Sequence, residues 1–225
     1  DYLGTSYTIP KAGISVDNQR ISIDRVTLKD QYNNEAVLTG GIRHEHLRDF
    51  VLQLRLTSDK FEVVNLKEHE SHNFYGHLIA KVSSMSVTGP VNDIRMSIQA
   101  TPAAASQLYL PMSSGQDVGS YSYASFKTYG TEQQKTLPAN KNKFSISINA
   151  MATPDLTMTM ILDPATGDAI NATGSGNVSL QISPDQDLGI HGAYQIYEGD
   201  YTFTFRRLAF RRRFIINPGS NIIFG

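Results

Sequence analysis

The sequence predicts an all-β fold built from strands with one apolar and one polar face. Two observations carry this. Apolar and polar residues alternate with a period of two in segment after segment, which places them on opposite faces of a strand. The polar positions are mostly Ser, Thr, Asn and Gln, which suit a wetted surface, whereas the apolar positions are Phe, Met, Leu and Ile. Such strands close their dry faces either as a sandwich or as a single curled sheet that leaves a trough. The pattern alone leaves both open.

The densest stretch is Gly189 to Gly225, and no helix fits it. Tyr201, Phe203 and Phe205 alternate there with Thr202 and Thr204, followed by Leu208, Phe210, Phe214, Ile215 and Ile216, a turn at Asn217-Pro218-Gly219, and a last apolar run, Ile222 to Phe224. From the start, Ile14–Val16 and Arg20–Lys29 read as strands about a polar turn at Asp17-Asn18-Gln19. A bulge is expected near Arg25, where the phase shifts. Tyr32-Asn33-Asn34 is a turn, and Glu35–Ile42 a strand closed by Thr39-Gly40-Gly41.

Leu47–Thr57 alternates most cleanly, with Phe50, Leu52, Leu54 and Leu56 on one side. Ser58-Asp59-Lys60 then reads as a turn before a new strand, Phe61–Leu66. Asn73–Val87, interrupted at Gly76, ends at Thr88-Gly89-Pro90. Ile94, Met96, Ile98 and Ala100 alternate next, and Leu108–Leu110 is short. Residues 112–142 turn to Ser, Gly, Gln, Lys, Thr and Tyr and read as a long polar loop with one weak strand at Ala124–Tyr129. Neither side of it shows a closed core of its own, so residues 1–225 are expected to form a single unit. Alternation returns at Phe144, Ile146 and Ile148, at Leu156, Met158, Met160 and Leu162, and at Val178, Leu180 and Ile182, with a turn at 163–168 and a corner at Gly174-Ser175-Gly176. A short pattern recurs at Leu38-Thr39-Gly40, Val87-Thr88-Gly89 and Ala172-Thr173-Gly174, which points to a long meandering sheet or an irregular solenoid.

The chain has 225 residues, a formal net charge of −1 and no cysteine. Disulfides, thiolate metal sites and cysteine nucleophiles are excluded, and no overall field draws in nucleic acid or an anionic membrane. No apolar run approaches the roughly 20 residues of a membrane-spanning helix. The chain ends within strand-like sequence, as expected of a segment that continues in its own protein on both sides.

Candidate chemistry is sparse. His44-Glu45-His46 and Glu68-His69-Glu70-Ser71-His72 place histidines at strand spacing, but beside turns and without a catalytic motif; the reading is exposed loop and edge residues rather than metal ligands. Asp163, Asp168, Asp185 and Asp187 are spread over two turns, too thinly for a calcium loop. No nucleophile, base or phosphate loop is in place, so no enzyme and no cofactor is expected. Arg206-Arg207 and Arg211-Arg212-Arg213, interleaved with Leu208, Phe210 and Phe214, read as edge-blunting charges, contacts to anionic headgroups, or phosphate contacts to nucleic acid. The first is favoured, as the outer rim of a wall, and nucleic acid is not expected as a partner.

Gly192-x-Tyr194-x-Ile196-x-x-Gly199-x-Tyr201-x-Phe203, then Phe214-x-Ile216-x-x-Gly219-Ser220-x-Ile222, resembles the C-terminal domain of TamB-type translocation and assembly module proteins. Upstream, Ala152-Thr153-Pro154-Asp155, Leu162-Asp163-Pro164, Gly167-Asp168, Gly174-Ser175-Gly176-Asn177 and Asn73-Phe74-Tyr75-Gly76 with Val87-Thr88-Gly89 fit the same family in order, in a form similar to its Bacteroidota branch.

The resemblance implies a β-taco, an elongated sheet folded lengthwise into a trough with an apolar inside. It implies a periplasmic position in a protein anchored in the inner membrane of a Gram-negative cell. It also implies a role in phospholipid transport toward the outer membrane and in outer-membrane biogenesis. The alternative role is assembly of outer-membrane β-barrels or autotransporters with a TamA- or BamA-like barrel partner. The expected cargo is phospholipid acyl chains. The expected lining is Phe50, Leu52, Leu54, Leu56, Phe144, Ile146, Ile148, Leu156, Met158, Met160, Val178, Leu180, Ile182, Tyr201, Phe203 and Phe205, each readable equally as plain core.

Overall fold

A computed structural model describes residues 3–71, 74–112, 143–183, 186–205 and 210–225. The one-faced strands are there. β1 (Thr8–Val16), β2 (Arg20–Lys29), β3 (Glu35–Glu45), β4 (Arg48–Leu66), β5 (Tyr75–Pro90), β6 (Asp93–Pro102) and β7 (Ser106–Pro111) precede the polar stretch. β8 (Lys143–Ala152), β9 (Leu156–Asp163), β10 (Asp168–Ser183), β11 (Gln186–Phe205), β12 (Phe210–Ile215) and β13 (Asn221–Phe224) follow it. A single 3-10 turn at Glu68–Glu70 is the one helical element among the described residues. All thirteen strands belong to one mixed sheet, curled on itself, in the order β1-β2-β3-β4-β5-β6-β8-β10-β11-β12.

The side branches explain the curl. β5 pairs with both β6 and β7, β10 with both β8 and β9, and β11 with both β12 and β13. Each of these pairs is one strand interrupted by a few residues that leave the regular ladder, keeping only isolated bonds to the strand opposite, such as Ala103 N–H to Ile79 C=O and Ile216 N–H to Gly199 C=O. The interruptions are 103–105, 153–155 and 216–220, and each contains or follows a proline: Pro102, Pro154 and Pro218. Proline cannot donate to the ladder and so marks its breaks. Register shifts continue the line across β4 between Leu56 and Val64, β5 between Val82 and Ser84, and β10 between Thr173 and Gly174. Bulges and interruptions of this kind bend a sheet, and this one creases along their line. Around this line β5, β6, β8, β10, β9 and β7 close a barrel-like circuit of six.

Several sequence expectations are corrected here. Ser58-Asp59-Lys60 is a bulged passage within β4 rather than a turn. Gly174-Ser175-Gly176 lies inside β10, not at a corner. β3 runs on past Gly40-Gly41, and β5 through Pro90. The recurring Thr-Gly pattern has a physical cause: a Cβ at Gly40, Gly89 or Gly174 would collide with the carbonyl oxygen of Gln53, Asp93 or Gln195 on the neighbouring strand. The bulge near Arg25 is found between Ile23 and Val26, and the turns at residues 17–19, 32–34 and 163–168 are in place.

β6 and β8 run parallel, as do β7 and β9. Parallel neighbours need a crossover connection of a dozen residues or more, and 112–142 is that connection. The loop and weak strand expected there lie outside the described residues, apart from Met112.

Where the ladder breaks, side chains satisfy the backbone. The buried Ser106 hydroxyl accepts from Ile79 N–H (3.2 Å) and donates to Ile79 C=O (2.9 Å). Asp168 accepts from Thr204 N–H (2.8 Å). Asp30, also buried, accepts from the backbone N–H groups of Tyr32, Asn34 and Glu62 and from the Asn34 side chain, all at 2.8–2.9 Å. Burial works to raise the Asp30 carboxyl pKa, but these hydrogen bonds outweigh it and hold it below the usual aspartate value. A depressed carboxylate contributes stability that is complete above its unfolded-state value of 3.8 and is lost as pH falls through the lower folded-state value. Urea unfolding followed from pH 6 to 2 is therefore expected to show a loss of stability below about pH 4 that is smaller in Asp30→Asn.

Candidate functional site: an apolar trough

The crease divides the sheet into two leaves whose inner faces meet. Leu110, Leu156, Met158, Met160, Ala172 and Ile196 from one leaf, with Ala152 and Tyr194 at the crease, form a buried cluster. Ile190, Ile222 and Phe224 from the other leaf pack against it. A second cluster, Ala36, Leu56, Phe61 and Val82, seals the crease toward the N-terminal strands.

From these clusters outward the inner face is a partly open wall, anchored on them where Leu38 and Met85 pack on the second and Ile190 on the first. Pairing registers line its apolar side chains into rows across the strands. Val26, Leu38, Leu56, Met85, Ile98, Ile148, Leu180 and Ile190 stand opposite one another in sequence from β2 to β11. Beside them run Leu54, Val87, Met96, Ile146 and Ile182. At about 4.8 Å per strand the first row spans roughly 30 Å. All but its first and third members are half-buried rather than sealed. The opposite face carries Thr39, Arg55, Ser86, Ser97, Ser147 and Gln181 in register, so the wall is dry on one side only.

The expected lining residues divide accordingly. Leu56, Leu156, Met158, Met160, Val178 and Ile182 are buried. Phe50, Leu52, Leu54, Phe144, Ile146, Ile148, Leu180, Tyr201 and Phe203 are half-buried, and Phe205 is 47 % exposed. Sequence reasoning left out Met85, Val87, Met96 and Ile98, which occupy the middle of the wall. Their alternation is as regular as that of Leu52–Leu56, so the signal for them is present in the sequence. It also left out Tyr194, which period-two pairing with Ile196 places on the inner face.

At the C-terminal end the wall becomes aromatic. Tyr201 faces Ile170 on one side and Phe214 on the other, Phe203 faces Arg212, and Phe205 faces Phe210. Phe203 and Phe205 meet edge to face with centroids 4.7 Å apart, and the Arg212 guanidinium lies 4.9 Å over the Phe210 ring. Arg212 thus belongs to the apolar face, which corrects the expectation that the arginines form an outer rim. Arg211 and Arg213 do point the other way, where Arg213 pairs with Asp200 at 2.7 Å. Arg206 and Arg207 lie outside the described residues.

Other candidate sites yield less. His44 is buried against Phe50 rather than exposed as its sequence context suggested. Buried Glu62 receives Gln31 Nε2 at 2.6 Å and lies 3.2 Å from His77 Nε2. No group of three or more His, Cys, Asp or Glu able to hold a metal occurs among the described residues, and no helix among them is long and apolar enough to cross a membrane.

A one-sided sheet, folded about a crease into an apolar trough, is the class of structure that this geometry defines. The family model described as "TamB C-terminal domain" matches residues 24–225. The chain belongs to the TamB C-terminal domain family, and that membership carries a TamB-type role in the cell envelope. Neither a curated protein nor a solved structure matches the chain.

Seam and wall are expected to respond differently to charge. Met158→Lys places an ammonium in a sealed cluster and is expected to abolish the cooperative unfolding transition, whereas Ile98→Lys, which can reach water along the open wall, keeps it at a cost of about 1–3 kcal/mol. Circular dichroism during urea titration reads both.

Proposed function

We propose that this trough shields acyl chains and so supports phospholipid transport between the inner and outer membranes, and with it outer-membrane biogenesis. The reading places the domain in the periplasm, within a protein anchored in the inner membrane. The observation that carries it is the row from Leu38 to Ile190 with its neighbour from Leu54 to Ile182, half-buried except at Leu56 and Ile182. A sealed core has no use for a continuous apolar strip left half in water, and exposing one costs about 25 cal/mol per Å² of apolar area. An acyl chain of roughly 15–20 Å laid across strands about 4.8 Å apart removes that cost along its whole length. The mechanism is passive: it asks for a dry wall and no reacting group.

A second reading, a scaffold for outer-membrane barrel strands working with a TamA-type partner, draws on β12. All six of its residues are exposed, and among the described residues it pairs only with β11. Such an edge can accept another strand.

The two readings separate in one experiment. Leu54→Arg and Ile148→Arg place charge on the open wall. Lipid co-purifying with the protein, measured by mass spectrometry, is expected to fall at least ten-fold in each variant while the unfolding transition stays cooperative. Lipid-free wild-type protein that also takes up no added fluorescent lipid, together with crosslinks from β12 to a barrel strand, would favour the scaffold.

A further inference from the structure

Tyr194 stands out among the buried polar groups. It is fully buried, and its hydroxyl has no hydrogen-bond partner among the described residues. The Ser106 hydroxyl, just as deeply buried, finds partners, making two bonds to Ile79. An orphaned buried hydroxyl is uncommon and costly, whereas phenylalanine would fill the same shape without that cost.

The surroundings limit what can satisfy it. Tyr194 lies in the apolar cluster with Ala152, Met158 and Ile196, where the only side-chain acceptors are weak methionine thioethers. Its register partners are Gly176 on β10 and Ile222 on β13. Ala152 stands opposite Gly176 in turn, so the row beside the ring is made of small residues, and the backbone at Gly176 lies close against Tyr194. Ile222 is only half-buried, so Tyr194 sits where the sealed seam gives way to the open wall. Burial pushes the phenol up to about 12, so it stays a proton donor throughout the physiological range. What fits such a place is an acceptor oxygen on an otherwise apolar molecule.

We propose that the Tyr194 hydroxyl is a polar anchor in the trough, donating a hydrogen bond to the ester carbonyl oxygen of a bound acyl lipid. This rests on the trough reading and sharpens it. The wall holds the hydrocarbon, and Tyr194 reads the junction between chain and headgroup. It also explains a tyrosine at a site whose packing asks only for a phenyl ring.

The test compares a diacyl phospholipid with its dialkyl ether analogue, which lacks the carbonyl, on the wild type and on Tyr194→Phe. Wild type is expected to prefer the ester lipid by roughly five-fold, the worth of one neutral hydrogen bond. With carbonyl-labelled lipid, its infrared carbonyl band is expected to shift to lower frequency. Tyr194→Phe is expected to lose both the preference and the shift, to bind the ether lipid as wild type does, and to unfold at equal or higher urea. Unchanged preference in Tyr194→Phe overturns the proposal, as does equal loss of both lipids, which would mean that the hydroxyl serves shape alone. Wild type that binds neither lipid overturns the trough reading and this proposal with it; wild type that binds both equally overturns this proposal only.

Discussion

Every strand that crosses the crease must break its ladder and still leave no backbone group stranded. That constraint organises the molecule. An unpaired buried N–H or C=O costs about 1–3 kcal/mol, and the crease interrupts pairing on strand after strand. The solution is local each time. Ser106 takes both backbone groups of Ile79, Asp30 takes Glu62 N–H at the edge of one leaf, and Ser220 C=O takes Ile196 N–H. Prolines sit at three of the breaks and need no donor partner. With the backbone satisfied, the sheet can bend without a helix or second sheet to cover it, and its two leaves cover each other.

The bend creates two environments from one kind of strand. Near the crease the leaves touch, and Met158, Met160, Leu110 and Ile196 are sealed. Farther out the same alternation yields a half-buried wall. The position of a residue along its strand, more than its type, decides whether it is core or lining. That is why Leu54 and Leu56, two residues apart, have different burial. It is also why Phe205, Phe210 and Phe214 stay on the apolar face while remaining open to solvent.

Much of this is legible in the chain. Phe50–Leu56 and Phe144–Ile148 declare strand and face by alternation alone, and the ordered glycine and proline motifs are enough to suggest the family that its model confirms. The crease is not legible. Ser58-Asp59-Lys60 and Gly174-Ser175-Gly176 carry turn chemistry, and only the partner strand decides that they are bulges. The parallel pairing of β6 with β8 links residues fifty positions apart, a non-local choice that no window of sequence contains. The burial of His44 and the solitude of the Tyr194 hydroxyl depend likewise on what the fold brings near them. The lining at Met85, Val87, Met96 and Ile98 is a different case, since its pattern is in the sequence and its importance follows only from its central place in the sheet.

The central claim is that one face of this sheet, and not the other, holds acyl chains. Fluorescent probes placed singly at Leu54, Ile98 and Ile148 on the wall, and at Arg55, Ser97 and Ser147 on the opposite face, test it directly when the protein is given phospholipid with brominated acyl chains. Quenching of the first three probes with the second three unaffected is the expected result. Quenching that is equal on both faces, or absent from both, would contradict the account.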